Sequence, residues 1–148
     1  MSRKIVPDVI HNQTLYKVSP SETVRHTARL MREKKIAAVL VMEGERLVGI
    51  ITERDMTCRV IAAGVDPDKA KISEVMTGNP DTLAPSDTAA DAIRMMRERN
   101  YRHLPVVTDD KVVGMVSVRD LYAVYNTELE QDLKDRNAFI YGENYGTA

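Results

Sequence analysis

The chain has 148 residues, of which 43% are hydrophobic and 29% charged, and its formal net charge is −1. This length suits one domain with its own core. The balanced charge argues against a nucleic-acid binder, and no apolar run reaches the ~18 residues of a membrane span. No apolar segment follows the charged N-terminus as in a secretory signal, and the single cysteine, Cys58, fits a reducing compartment, so we expect a cytoplasmic protein without nucleic-acid or membrane partners.

The first predicted unit spans residues 1–65. Its three short strands, read from β-branched and apolar runs bounded by turn residues, are Leu15–Val18, Ala37–Met42 and Leu47–Ile51. A helix with Ser21 as its predicted N-cap follows the first strand, and apolar residues recur in it at helical spacing. A second helix begins at Thr52 and ends near Gly64, a suitable C-terminal residue.

The second predicted unit spans residues 66–125 and has the same order of elements. Its strands are Thr82–Leu83, Leu104–Val107 and Val112–Val116. Ser86 is the predicted cap of its first helix, and Ser117 begins its second. Residues 126–148 are a C-terminal extension, helical through Glu128–Asn137 and frayed beyond it. Its apolar register suggests packing on the module or on a partner subunit, through Leu121, Val124, Leu129, Leu133 and Ile140.

The two units are copies of one another. An offset of 65 residues places Val18–Thr57 on Leu83–Tyr122 without a gap, and twelve of those forty positions are identical. An offset of 66 places Val6–Ile10 on Ile72–Met76, so one residue of slack precedes the first strand. A unit of this size has only half a core. We therefore expect the copies to pair across a pseudo-twofold axis, with two related clefts between them.

Each copy ends its last strand in the same motif, a hydroxyl residue followed three positions later by an aspartate. The motif is Thr52-Glu-Arg-Asp55 in copy one and Ser117-Val-Arg-Asp120 in copy two. A capping box explains the hydroxyl and the acid. It does not explain an arginine in the first helical turn of both copies, where a cation opposes the helix dipole. An anion at each helix N-terminus would account for the arginines, and an aspartate accepts ribose hydroxyls, so the motif favours a nucleotide.

A second constellation is Tyr101-Arg102-His103, which the repeat places opposite Ile36-Ala37-Ala38. Pro105 cannot donate a ladder hydrogen bond, so this strand is predicted to begin at a sheet edge. Free backbone groups at such an edge can read a base, while Arg102 and His103 are donors for phosphate. The alternative is structural: Tyr101 belongs to the core and Arg102 is solvated.

With its motifs repeated in the same order, the chain resembles a tandem pair of CBS domains, the Bateman module, of the stand-alone bacterial and archaeal type. The resemblance covers about residues 5–125. It implies an α/β (α+β) fold of two pseudo-twofold-related β-α-β-β-α repeats packed sheet to sheet. It also implies that each hydroxyl-x-x-Asp motif contacts the ribose and phosphate of an adenosine nucleotide, while the other repeat supplies the base pocket.

The resemblance assigns a set of residues to each cleft. Cleft one would join Thr52, Arg54 and Asp55 to Tyr101, Arg102 and His103. Cleft two would join Ser117, Arg119 and Asp120 to Ile36, Ala37 and Ala38, and the segments around Val18 and Thr82 would line the pocket walls. Cleft one is the expected tighter site, because its partner segment offers an aromatic side chain and two phosphate donors.

These features favour a nucleotide-sensing regulatory module, with AMP, ADP or ATP as its ligand and a homodimer as its assembly. A regulated protein partner is expected but not identified. The alternatives are an interaction protein with empty clefts, or the same module binding NAD(H) or S-adenosylmethionine. An enzyme is not expected, because the sequence has no glycine-rich phosphate loop and no histidine–cysteine metal motif, and Asp109-Asp110 fits a hairpin turn better than a metal site. No catalytic cofactor or metal is expected.

Overall fold

The computed structural model of the protein describes residues 3–142. The strands are β1 (Lys17–Val18), β2 (Ala38–Glu43), β3 (Arg46–Thr52), β4 (Thr77–Gly78), β5 (His103–Thr108) and β6 (Lys111–Ser117). The helices are α1 (Val24–Lys34), α2 (Glu53–Asp55), α3 (Ile72–Val75), α4 (Ala89–Arg99) and α5 (Val118–Asn137). Single π-helical turns span Ile5–Val9, Met56–Ile61 and Ala138–Gly142, of which the second continues α2.

The strands form two sheets, as a pair of β-α-β-β-α repeats requires. One sheet has four strands in the order β1-β2-β3-β4, and the other is the hairpin β5-β6. The four long strands differ from their predicted bounds by one residue at each end. Each hairpin turns through residues with positive φ, which are Gly44 in copy one and Asp109 and Asp110 in copy two. Asp109 and Asp110 therefore have the turn role that their sequence predicts.

The first helix of each copy begins two residues later than predicted. Thr23 caps α1 by accepting a hydrogen bond from the amide of His26 at 3.1 Å, and Thr88 caps α4 by accepting one from the amide of Asp91 at 3.2 Å. Ser21 and Ser86 are therefore not the caps. Ser21 lies in the preceding turn, where its hydroxyl is 2.9 Å from that of Ser19. Both serine and threonine suit an N-cap, so residue type alone does not choose between them.

The second sheet is smaller because two of its strands are reduced. The predicted strand Thr82–Leu83 is a single bridge between Leu83 and Val106, and the carbonyl of Pro105 accepts a hydrogen bond from the Leu83 amide at 2.9 Å. Pro105 is thus the third residue of β5, beside this bridge. On the far edge, the side-chain amide of Gln13 takes the place that β4 has in copy one. It donates to the carbonyl of Met115 at 2.8 Å and accepts from its amide at 2.7 Å.

The first segment of each repeat packs in the hydrophobic core of the other repeat. Ile72 and Val75 pack with the strands of copy one, whereas Ile5 and Ile10 pack with copy two. Equivalent backbone hydrogen bonds hold both segments in place. The amide of Ile5 donates to the backbone carbonyl of Asp87, and the amide of Ile72 donates to the backbone carbonyl of Glu22, each at 2.8 Å. The N-terminal segment is thereby part of the second repeat's core, and the segment after the linker is part of the first repeat's core.

The glycine of each motif strand lies where an exchanged segment packs closely against the strand. A Cβ on Gly49 would lie 2.5 Å from the sulfur of Met76 and 2.9 Å from the carbonyl oxygen of Thr77. A Cβ on Gly114 would lie 2.3 Å from the terminal methyl of Ile10. At Gly49 the backbone carbonyl of Thr77 leaves no room for a side chain, whereas at Gly114 the close atom is the end of a flexible side chain, which can shift.

The C-terminal helix is continuous with the second helix of copy two. Leu121 is buried and Val124 half-buried against the module, whereas Leu129 and Leu133 are 58% and 60% exposed. The predicted apolar register is therefore not one face: its first part packs on the core and its later part does not. Within residues 3–142, no helix is long and apolar enough to span a membrane. The frayed tail falls mostly on residues 143–148, outside the described part of the chain.

Candidate clefts between the repeats

Cleft one is a cavity of about 540 Å³ at the start of α2. Its lining includes all six residues that the sequence assigned to it, namely Thr52, Arg54, Asp55, Tyr101, Arg102 and His103. Ala37, which accepts a hydrogen bond from the Glu53 amide, also lines the cavity, and Pro80 and Asp81 form a further wall. The motif at the end of β3 and the segment before β5 therefore meet, although about 50 residues separate them in the chain.

Cleft two is a wider cavity of about 760 Å³ at the start of α5. Its lining includes the six residues assigned to it, Ser117, Arg119, Asp120, Ile36, Ala37 and Ala38. It also includes Arg102 and His103, which the sequence placed in cleft one alone. Ala37, Arg102 and His103 thus line both clefts, since the two segments that carry them lie beside the pseudo-twofold axis.

Two predicted wall residues are not in these clefts. Val18 is only 6% exposed and belongs to the core of copy one. Thr82 lines a separate depression between the hairpin turns. The walls are formed by neighbouring residues of the same two segments, Pro80 and Asp81 in cleft one and residues 13–16 in cleft two. These two segments coincide at the repeat offset of 65, a signal in the sequence that could have identified them.

Both motifs form capping boxes at the starts of their helices. The Asp55 carboxylate accepts hydrogen bonds from the amide and hydroxyl of Thr52 at 3.0 and 3.1 Å, and the Asp120 carboxylate accepts them from Ser117 at 2.8 and 3.0 Å. In each box a single oxygen, Oδ2, takes both bonds. The structural interpretation of the motif is therefore correct for one carboxylate oxygen, and the other oxygen remains for further contacts.

The second oxygen differs between the copies. Oδ1 of Asp55 lies 3.5 Å from the hydroxyl of Thr77 and 3.7 Å from Nε of Arg59. Oδ1 of Asp120 has no polar partner among residues 3–142, because the repeat puts Val124 where copy one has Arg59. Asp120 is thus the acid with an acceptor free for a ligand hydroxyl.

The arginine of each motif is exposed beside its cleft. Within the described chain, neither Arg54 nor Arg119 makes an ion pair or a side-chain hydrogen bond. This contrasts with Arg25, Arg59 and Arg94, each of which lies within 4 Å of a carboxylate. A cation at a helix N-terminus without a protein partner is placed to contact an anion.

The family model for the CBS domain matches residues 1–61 and 72–126, so it covers both repeats. The chain belongs to the CBS-domain family.

Curated relatives agree with this assignment. CBSX3, a mitochondrial CBS domain-containing protein of Arabidopsis thaliana, is 31% identical over 82% of the chain and 61% of its own length. The CBS domain-containing protein YhcV of Bacillus subtilis is 35% identical over 70% of the chain and 74% of its own length. Two longer Arabidopsis relatives, CBSCBSPB3 and CBSCBSPB2, are matched over only 18% and 19% of their lengths.

Solved structures of CBS-domain proteins have the same fold. A conserved protein of Pyrococcus horikoshii aligns with a TM-score of 0.77 at 27% identity, covering 84% of the chain and 93% of that protein. CBSX2 in complex with AMP aligns with a TM-score of 0.66 at 26% identity, covering 78% and 90%. A hexameric CBS-CP12 protein of bloom-forming cyanobacteria aligns at 0.69 and 28%, covering 74% and 65%.

The two clefts of this CBS pair carry different charge. Cleft one is lined by two arginines and three acids, Arg54, Arg102, Glu53, Asp55 and Asp81. Cleft two is lined by three cations and one acid, Lys35, Arg102, Arg119 and Asp120. With histidine neutral, the lining charge is therefore −1 in cleft one and +2 in cleft two. The expected preference for cleft one counted Arg102 and His103 for that cleft alone, whereas both residues line both clefts.

His103 lies between the clefts, and its surroundings favour the neutral form. Burial lowers the pKa of His103 below its ordinary value, although the carboxylates of Asp120 and Glu53 act in the opposite direction. The nearby Arg102 guanidinium adds to the lowering. Asp120 belongs to cleft two and Glu53 to cleft one, so this imidazole is within electrostatic reach of both sites.

Asp81 is the cleft-one residue that sequence reasoning missed. Its Oδ2 is buried without a hydrogen-bond partner among the described residues, and Nη1 of Arg99 lies 3.4 Å away. A buried carboxylate oxygen of this kind is costly unless something donates to it. Cleft two has Tyr16 at the equivalent position, so the two walls differ in chemistry as well as in charge.

Proposed function

We propose that this CBS pair is a regulatory module that binds adenosine nucleotides, AMP, ADP or ATP, and acts through its own assembly or through a protein partner. The observation that carries the proposal is the arrangement at each helix start. A hydroxyl and an aspartate cap the helix, and an arginine without a protein partner in the described chain stands beside the cleft. No catalytic step forms part of the proposed function.

The phosphate is assigned to the helix start and the arginines. The α5 helix has 20 residues, and its N-terminus carries the positive end of the helix dipole. Arg119 and Arg102 line the same cleft, and each can make two parallel hydrogen bonds to a phosphate. S-adenosylmethionine carries no phosphate, so these cations favour a nucleotide over it.

The ribose is assigned to the motif aspartate. A carboxylate accepts hydroxyl hydrogen bonds in charge-assisted form, which are stronger than neutral ones. Oδ1 of Asp120 has that capacity, whereas Thr77 and Arg59 already surround Oδ1 of Asp55. Together with the positive lining, this leads us to propose cleft two as the tighter site.

The base is assigned to backbone groups beside the axis. The Val118 amide donates to the Arg102 carbonyl at 2.9 Å, so the next pair, His103 with Ser117, exchanges no hydrogen bonds. The amide and carbonyl of His103 therefore point away from β6. The same pattern holds for Ala38 opposite Thr52. The Tyr101 amide is not available, because it donates to Met96 at 3.1 Å.

The relative CBSX2, solved in complex with AMP, supports an adenosine ligand for this chain. The test is thermal denaturation with a panel of AMP, ADP, ATP, GMP, CMP, adenosine, NAD and S-adenosylmethionine. An adenosine nucleotide at about 100 times its dissociation constant should add roughly 2.7 kcal/mol of stability, which is about 5–10 °C for a chain of this size. AMP should exceed both adenosine and GMP.

The panel separates the proposal from its alternatives. The absence of a shift with every compound would indicate an interaction protein with empty clefts. Equal shifts for AMP and GMP would contradict recognition of the base by backbone groups. A larger shift for adenosine or S-adenosylmethionine than for AMP would contradict the role of the arginines, and a larger shift for NAD would change the ligand but not the site.

Self-association is the second part of the proposal, and the surface of α5 supports it. Val118, Tyr122, Leu129 and Leu133 are 45–65% exposed and lie on one side of the helix, within about 60° at 100° per residue. A stripe of this kind favours burial against another surface. We propose a homodimer in which a second copy covers it, in line with the assembly of the hexameric CBS-CP12 relative.

A further inference from the structure

Three residues separate the two clefts, and one of them carries a fixed charge. Ala37, Arg102 and His103 line both cavities, and burial keeps His103 mostly neutral near pH 7. The repeat gives Arg102 and His103 the counterparts Ala37 and Ala38, which have no polar side chain. The repeat therefore gives two clefts but an arginine at only one of the two equivalent positions, so a single guanidinium borders both clefts.

The Arg102 side chain is free to turn toward either cleft. Its residue is exposed, and in the described chain its guanidinium has no ion pair and no hydrogen-bond partner. Its backbone is held, because its carbonyl accepts the Val118 amide at the point where α5 begins. A fixed backbone with a long unpartnered side chain between two cavities permits two alternative positions for one cation.

The nucleotides in the two clefts would compete for this cation. Arg54 belongs to cleft one only and Arg119 to cleft two only, so each site has one arginine of its own and shares the other. Once Arg102 binds a phosphate in one cleft, the ligand in the other cleft loses a charge-assisted contact.

We propose that Arg102 couples the two clefts, so that a nucleotide in one cleft weakens the binding of a nucleotide in the other. This inference rests on nucleotide binding as proposed above and adds to it the relation between the sites. By linkage the weakening is the same in either order of filling. The loss of one charge-assisted hydrogen bond predicts a second nucleotide bound about ten- to a hundred-fold more weakly than it would bind with the first cleft empty.

Calorimetric titration with AMP tests the coupling while allowing for clefts of unequal affinity. Asp120→Ala disables cleft two, and cleft one is then measured alone. If the clefts are coupled, cleft one in this variant binds AMP at least tenfold more tightly than the second binding step of the unsubstituted protein. In the Arg102→Ala background, adding Asp120→Ala should leave the affinity of cleft one unchanged, because the shared cation is gone.

The control is Arg97→Ala, an exposed arginine of α4 that lines neither cleft, and it should preserve the full coupling. Equal affinities for cleft one in the Asp120→Ala variant and in the second step of the unsubstituted protein would overturn the coupling and leave nucleotide binding intact. Coupling that persists undiminished in Arg102→Ala would overturn the role of this residue. An absence of AMP binding in both clefts would overturn the coupling and the proposed function together.

Discussion

The two motif aspartates stabilise their helices and, by our proposal, also bind the ligand. Alanine at Asp55 or Asp120 removes the N3 acid of a capping box, which costs about 0.5–1 kcal/mol of stability. In Asp120→Ala we expect, in addition, a loss of 1.5–3 kcal/mol of AMP binding at cleft two, about ten- to over a hundred-fold in dissociation constant. Calorimetric titration and thermal denaturation measure the two effects separately.

The chain supplies a matched control for this substitution. Thr88 and Asp91 form a third capping box with the same geometry, with hydrogen bonds to the Asp91 carboxylate at 3.0 and 2.9 Å, but Asp91 lines neither cleft. Asp91→Ala should therefore lose a similar amount of stability and keep its affinity for AMP. If Asp91→Ala and Asp120→Ala change the affinity equally, the motif acid is a cap and nothing more.

His103 makes stability depend on pH near neutrality. Burial lowers its pKa in the folded protein, so above the ordinary histidine value of about 6.5 both states are neutral and the fold has its full stability. As the pH falls below that value the unfolded chain takes up the proton first, and the free energy of unfolding decreases. His103→Gln should flatten this decrease between about pH 5 and 7, as measured by urea denaturation.

The matched control is His26→Gln, because His26 is exposed on the surface of α1. The lowered pKa of Asp91, caused first by the hydrogen bond from the Thr88 amide, also reduces stability on acidification, but only at pH values near the ordinary aspartate range. An unfolding free energy that is flat from pH 7 to about 5 in the unsubstituted protein would contradict the buried, neutral state of His103.

At the scale of elements, the motif glycines show how the exchanged segments constrain the strands. Gly49→Ala would bring a methyl group to 2.9 Å from the Thr77 carbonyl, a backbone atom that β3–β4 pairing holds in place. Gly114→Ala would mainly meet the terminal methyl of Ile10, which can rotate. We expect Gly49→Ala to cost about 1–3 kcal/mol and Gly114→Ala clearly less.

Urea denaturation of the two alanine variants checks this order. Gly114→Ala serves as the control for the general effect of alanine in a strand, because the two positions are equivalent in the repeat. An equal loss of stability in both variants would mean that the second copy is packed as rigidly as the first.

For the whole molecule, the exposed stripe of α5 predicts the state of assembly. Sedimentation of the unsubstituted protein at micromolar concentration should show a dimer, and Leu129→Glu with Leu133→Glu should shift it to a monomer by placing charge in the contact. Ile61→Glu is the control, because Ile61 is 76% exposed but lies on the turn that continues α2. A dimer that survives the α5 substitutions but not Ile61→Glu would place the contact on the helix of copy one.

The features that the sequence alone determined are those decided by near neighbours in the chain. The duplication, the long strands within one residue and the helix starts at Thr52 and Ser117 follow from periodicity and from hydrogen bonds between residues three positions apart. The same local reasoning missed the caps Thr23 and Thr88, because serines two residues earlier satisfy the same rule.

Only the tertiary structure decided how distant segments meet. That Arg102 and His103 border both clefts depends on how two hairpins pack across the pseudo-twofold axis. The exchange of Ile5 and Ile72 between the cores, and the side chain of Gln13 in place of a strand, likewise rest on hydrogen bonds between residues 50 to 102 positions apart. The pattern of side chains shows which face of an element is apolar, but not which of two equivalent partners covers that face. In this protein the packing between the two copies determines the partner.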